Sequence, residues 1–173
     1  IYSQYEKDQL RLQKLGEQCF IEYFTKLANK RKASNHDNWV SALNYLDTFT
    51  NGSLKFGDLN PKFLEDFKEY LLNTKSNRSN KTTLSQNSAV SYFNKVKAAL
   101  KQAYQDGILQ TDLNAKVKPI KAAETRREYL TLDELNKLVK TDCNNLLLKR
   151  AALFSALTGL RFSDIQKMTW GEL

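Results

Sequence analysis

Apolar side chains recur along this chain at intervals of three and four, and several stretches hold the pattern long enough to predict helices with one buried face. Residues 9–32 set Leu12, Leu15, Phe20, Phe24 and Leu27 on a common stripe and end in Lys30-Arg31-Lys32, positive charge that suits a helix C-terminus and can also touch phosphate. Residues 34–38 (Ser34 to Asn38) are polar and predict a connection that caps a second helix, with Trp39, Ala42, Leu43, Leu46 and Phe49 inward; Asn51-Gly52 stops it. Asn60 followed by Pro61 predicts the start of a third helix whose inner face is Phe63, Leu64, Phe67, Tyr70 and Leu71 and whose outer face is acidic at Glu65, Asp66 and Glu69. Residues 73–82 carry no apolar side chain and read as a loop. Thr83 with Gln86 then has capping-box spacing for a long helix, with Ala89, Phe93, Val96, Leu100 and Tyr104 inward and Asp106-Gly107 at its end.

The second part of the chain is patterned differently. Residues 111–127 contain Pro119, several lysines and few apolar positions, which predicts a linker. Thr131-Leu132-Asp133-Glu134 caps a helix running to Val139. The apolar run from Leu146 through Ala151, Ala152, Phe154 and Leu157 predicts a buried helix closed by Gly159 in a left-handed conformation. Ser163 with Gln166 has capping-box spacing again, with Asp164 in the first turn of the new helix, so that Arg161 falls in a tight connection between two helices.

Composition fits a helical architecture of one or two packed domains: 173 residues, 41% hydrophobic, only 6 Gly and 2 Pro. Cys19 and Cys143 lack metal-ligand spacing, read as small buried hydrophobes and fit a reducing cytoplasm, and no metal site or cofactor is expected. No apolar run is long enough to span a bilayer, no signal peptide is visible, and no internal repeat is evident. The net charge of +8 is unevenly spread: residues 75–121 hold nine basic side chains against two acidic ones, a surplus of seven, while the remainder nearly cancels. That surplus points to a polyanion partner, and the polar face of the long helix makes double-stranded DNA the expected one. On the long helix Asn87, Ser88, Ser91, Asn94, Lys95 and Lys101 lie opposite the apolar stripe or at its margins, small polar groups and lysines that can enter a major groove. Arg78, Lys81 and Thr82 before it, and Lys116 and Lys118 after it, complete the candidate DNA-binding residues.

The residues Thr158-Gly159-Leu160-Arg161-Phe162-Ser163-Asp164-Ile165, followed by Trp170, resemble the first catalytic box of the tyrosine recombinase (phage-integrase) family. The likeness extends back through Glu128-Tyr129-Leu130-Thr131-Leu132-Asp133-Glu134-Leu135, similar to that family's entry into its catalytic domain. It implies a mainly α chain: a four-helix, SAM-like core-binding domain over residues 1–114, a basic linker over 115–127, and the N-terminal part of a catalytic domain over 128–173. It implies that Arg161 is the catalytic arginine clamping the scissile phosphate, a role suited to a planar, permanently charged fork. In the family, DNA is cut through a tyrosine that forms a 3′-phosphotyrosyl link, with no metal or cofactor. All eight tyrosines here precede Arg161 and the sole histidine, His36, lies far upstream, expected as an exposed polar residue ahead of a helix, so the family's later catalytic residues have no counterpart among these positions. With no Met at position 1, the chain is expected to be an excised piece of a bacterial mobile-element integrase, cytoplasmic, monomeric alone and oligomeric on DNA when complete. A helix-turn-helix regulator built on residues 154–168, or a helical adaptor meeting an acidic protein, are the alternatives.

Overall fold

A computed structural model describes residues 3–77, 79–126, 128–169 and 171. It is mainly α and divides into two compact units, Ile1–Glu124 and Thr125–Leu173.

The first unit opens with α1 (Gln4–Glu17), whose N-terminus is closed reciprocally: Ser3 Oγ accepts from the Glu6 amide, and the Ser3 amide donates to Glu6 at 2.6 Å. The helix expected over residues 9–32 is in fact two, α1 and α2 (Phe20–Asn29). A non-local pairing breaks it. The Phe20 amide donates to the Leu54 carbonyl at 2.8 Å and the Phe56 amide to the Gln18 carbonyl at 3.0 Å, which draws residues 18–19 out of helical geometry. The two backbones approach so closely that a Cβ on Gly57, in the 3-10 turn Phe56–Asp58, would stand 3.3 Å from the Gly16 carbonyl oxygen.

Helix α3 (Ala33–Thr50) starts directly after Lys32, because Ala33 takes a left-handed φ of 48° and reverses the chain in one residue. Residues 34–38, expected as a connection, are therefore its first turns, and His36 lies within the helix. Asn51 (φ 52°) and Gly52 (φ 79°) end it in the left-handed region, where Asn tolerates and Gly favours the conformation. Helix α4 (Pro61–Asn73) begins as its sequence predicts, with Asn60 Oδ1 accepting from the Phe63 amide at 2.9 Å and Pro61 in the first turn.

The expected loop after α4 is a two-stranded antiparallel hairpin, β1 (Lys75–Ser76) and β2 (Ser79–Thr83). Its strength comes from the backbone ladder and from two anchors, the Leu84 amide on the Thr74 carbonyl at 2.9 Å and the Asn77 amide on the Tyr45 hydroxyl at 2.8 Å. Helix α5 (Gln86–Gln105) is capped by Ser85, whose hydroxyl accepts from the Ser88 amide, rather than by Thr83, which the ladder occupies. Ala89, Phe93, Val96 and Leu100 are fully buried as expected, joined by Ala99, Ala103 and Tyr92, whereas Tyr104 sits at the stripe's edge and is 44% exposed.

Past α6 (Leu113–Lys116) the chain does not leave the unit. Val117 and Ile120 are buried, Lys97 Nζ donates to the Val117 carbonyl, Gln86 donates to the Lys121 carbonyl at 2.7 Å, and the Ala123 amide donates to Asn87 Oδ1 at 3.0 Å. The stretch expected as a linker is thus packed on α5 as far as residue 123. A further tie spans 83 residues: the Tyr23 hydroxyl donates to Asp106 at 2.7 Å. This bond, with a second from Gln102, holds the Asp106 carboxyl below the usual carboxylate range, while burial and the same carboxylate push the Tyr23 phenol far up. A depressed folded pKa adds stability above the unfolded value and loses it as pH falls through the folded one. Asp106→Ala is therefore expected to lower the melting temperature slightly at neutral pH, by well under the increment of a buried pair because Asp106 is exposed, and to lose that effect at strongly acid pH; melting curves on both proteins check it.

In the second unit α7 (Leu132–Lys140) carries the expected Thr131–Glu134 capping box, α8 (Leu146–Thr158) is capped by Asn145 and closed by Gly159 (φ 72°), and α9 (Phe162–Lys167) follows. Lys149 Nζ donates to the Val139 and Thr141 carbonyls at 2.7 and 2.6 Å, closing the end of α7. Two expectations are corrected here. The residue capping α9 is Arg161, whose carbonyl accepts from the Asp164 and Ile165 amides, and Ser163 is inside the helix. Helix α8 is not buried: Leu146, Leu147, Leu148 and Leu157 are mostly exposed, since three short helices have too little mass to cover an apolar run on all sides. Cys143 is likewise exposed and Cys19 only partly covered, not the buried hydrophobes expected. Among the described residues no helix is long and apolar enough to cross a membrane.

Candidate nucleic-acid interface

Helix α5 turns its buried stripe to α3 and α4, so the opposite strip is set by period alone: Ser91, Asn94 and Lys101 lie along it, with Asn94 and Lys101 exposed and Ser91 partly so. Each flank of the strip is fixed by a specific bond. On one side Lys95 Nζ donates to Asn35 Oδ1 at 3.2 Å, which brings the first turn of α3 and its preceding Lys30-Arg31-Lys32 triplet beside α5. On the other, the packed stretch after α6 lays exposed Lys116 and Lys118 alongside. At the N-terminal end the hairpin carries exposed Lys81 and Thr82, and Ser88 sits half-buried in the first turn of the helix. Arg78 lies outside the described residues, as does Trp170.

Apart from Arg78, the residues expected to meet DNA thus fall on one unit, around one helix, but they are not equivalent. Both ends of the Asn87 amide are engaged by the backbone of Ala123, donating to its carbonyl at 3.4 Å and accepting from its amide at 3.0 Å. Asn87 therefore anchors the stretch after α6, and the open polar groups of the strip are Ser91 and Asn94. Arg31 stacks over Trp39, 5.0 Å from the ring centroid, which orients the basic turn. This turn is added to the candidate surface by the Lys95–Asn35 bond, which no spacing rule foretells. Acidic Glu65 pairs with Lys68 on α4, so that helix presents mixed charge.

In the second unit Arg161 is exposed and contributes only backbone to its surroundings; among the described residues its guanidinium makes no hydrogen bond or ion pair. A charged fork held at a helix start by a glycine-closed turn, with its donors unspent, is available to an anion. Asp164 is in the first turn of α9, as expected.

Helical domains with a basic margin around one polar helix face form the class in which helix-reading nucleic-acid modules are found. A profile of the phage integrase SAM-like domain matches residues 19–118, more than half of the chain, from the break after α1 to the stretch packed on α5. The chain belongs to the phage-integrase family, the tyrosine recombinases, whose role is in DNA recombination. No curated protein and no solved structure matches it.

Proposed function

We propose that residues 1–173 are the duplex-binding module and catalytic-domain entry of a site-specific recombinase that integrates a bacterial mobile element. The observation that carries this reading is the exposed strip of α5, small and polar at Ser91 and Asn94 and bracketed by lysines that three separate segments supply. Lys81, Lys95, Lys101, Lys116 and Lys118 would neutralise phosphates and fix the register, while Ser91 and Asn94 would meet base edges. Residues 1–124 would act as the core-binding domain, residues 128–173 as the start of the catalytic domain, and Arg161 as its phosphate clamp. The complete enzyme would act in the cytoplasm as an oligomer on DNA without metal or cofactor, and this segment would bind as a monomer. No tyrosine follows Arg161 here, so binding by this segment would be noncovalent and reversed by denaturant. A helix-turn-helix reading of residues 154–168 is disfavoured by the length of α9, six residues.

Titration of duplex binding against salt tests the proposal. Lys101→Ala is expected to weaken binding to all sequences alike and to flatten the log-log salt slope by about 0.9, the share of one phosphate that is no longer neutralised. Asn94→Ala should instead change the preference among sites. Lysine variants that leave affinity and slope untouched would mean that α5 is only core and surface.

A further inference from the structure

Between α3, the hairpin and the first turns of α5 lies a cleft of about 390 Å3. Its walls are hydroxyls and amides, among them Ser41, Asn44, Thr82 and Thr83, and none of the described residues lining it is charged. Its inner side is formed by Tyr45 and Tyr92, whose rings stack with centroids 5.3 Å apart and planes at 26°. Both are more than nine-tenths covered, Tyr45 at 3% and Tyr92 at 9% exposure. The Tyr45 oxygen accepts from the Asn77 amide, which leaves its own O–H to donate elsewhere. The Tyr92 hydroxyl makes no hydrogen bond among the described residues and opens on the cleft. Its ring belongs to the core while its oxygen reaches the cleft, so the O–H is free to pass from water to an acceptor brought into the cleft.

The acceptor has to come from outside, and the cleft constrains which. Among its described residues there is no carboxylate to repel an anion and no cation to extract a free dianion from water. It is also larger than a phosphate ion. A phosphodiester delivered by a polymer that lysines nearby already hold meets all three conditions, since its non-bridging oxygens only accept and its sugar fills the remaining space. We propose that this cleft seats one backbone phosphodiester of the duplex, with Tyr92 donating to a non-bridging oxygen. The inference rests on the duplex-binding reading above.

Such a bond has a signature distinct from a lysine's. A neutral hydroxyl releases no counterion, so Tyr92→Phe should lower duplex affinity about tenfold at every salt concentration with the log-log line displaced in parallel, and equally for all sequences. The ring stack remains, so the melting temperature should hold. Single methylphosphonate substitutions along the duplex should reveal one position where the natural protein loses about tenfold and Tyr92→Phe loses nothing further. Inorganic phosphate alone should leave the melting temperature unchanged. Should Tyr92→Phe fail to fold, Thr82→Val read on the same methylphosphonate series decides the matter. Wild-type affinity in the variant, losses that add at every position, or stabilisation by inorganic phosphate would each overturn the inference while the duplex-binding reading stood. A natural protein that binds no duplex would overturn both.

Discussion

Arg161→Ala in an active recombinase containing this segment is expected to slow strand cleavage by about a hundredfold or more, on the order of 3 kcal/mol of transition-state stabilisation, as for loss of one preorganised oxyanion donor. The melting temperature should stay where it was. The two halves of that expectation have separate grounds. The side chain is exposed and unpartnered among the described residues, so its removal breaks no packing, and the carbonyl that starts α9 is kept by any residue at the position. The rate effect follows from the proposed role, in which a planar fork holds two phosphate oxygens while charge grows on them. Arg161→Lys should recover little, because a point donor cannot hold both oxygens at once. Cleavage of a suicide duplex and thermal melting on the three proteins give the answer. A variant that melts much earlier yet cleaves normally per folded molecule would make Arg161 a structural residue of the hairpin between α8 and α9.

The opposite pattern is expected at Phe93. Its ring is fully buried on the inner face of α5 and lies 6.5 Å from that of Phe67 on α4. Phe93→Ala should remove about 3–5 kcal/mol of stability, since the transfer energy of the ring is lost and the cavity cannot close between packed helices. For a unit of this size that corresponds to a fall in melting temperature on the order of 10–25 °C. Below the new transition, duplex affinity should be little changed, because the ring faces away from the strip that carries Ser91, Asn94 and Lys101. Urea unfolding and a binding titration in the cold test both statements. A folded variant that had lost duplex binding would show that the exposed strip of α5 is not the binding face.

What was legible in the sequence was local. The Asn60-Pro61 start, the Asn51-Gly52 stop, the Thr131–Glu134 box and the Gly159 closure each depend on residues within one turn, and each stands as its chemistry predicts. The family resemblance was legible at the first catalytic box, while the profile match falls on the helices upstream of it. Several of the misses turn on partners distant in sequence. Nothing in residues 16–20 announces that Leu54 and Phe56 will take their backbone. The hairpin has no apolar alternation to betray it; its ladder and the anchor on Tyr45 are bonds that no local pattern announces. Thr83 and Ser85 are equally fit to cap α5, and the hairpin decides between them. Among the candidate DNA-binding residues, helical period placed Ser91, Asn94 and Lys101 on one strip, but the engagement of Asn87 by Ala123 and the unspent donor of Tyr92 exist only in three dimensions. Tyr92 lies outside the stripe that the spacing predicts, yet its ring is core and its oxygen faces the cleft.

Val117 and Ile120 give the first unit a late completion. Both are buried against a domain whose helices otherwise end with α5 and the short α6. A chain ended at residue 114 would lack both side chains and the Ala123 backbone that Asn87 holds, so apolar surface along α5 would stand open to solvent. The boundary that composition suggests therefore cuts through the packing of the first unit, and a segment made to end there is expected to melt earlier than one that ends at residue 124.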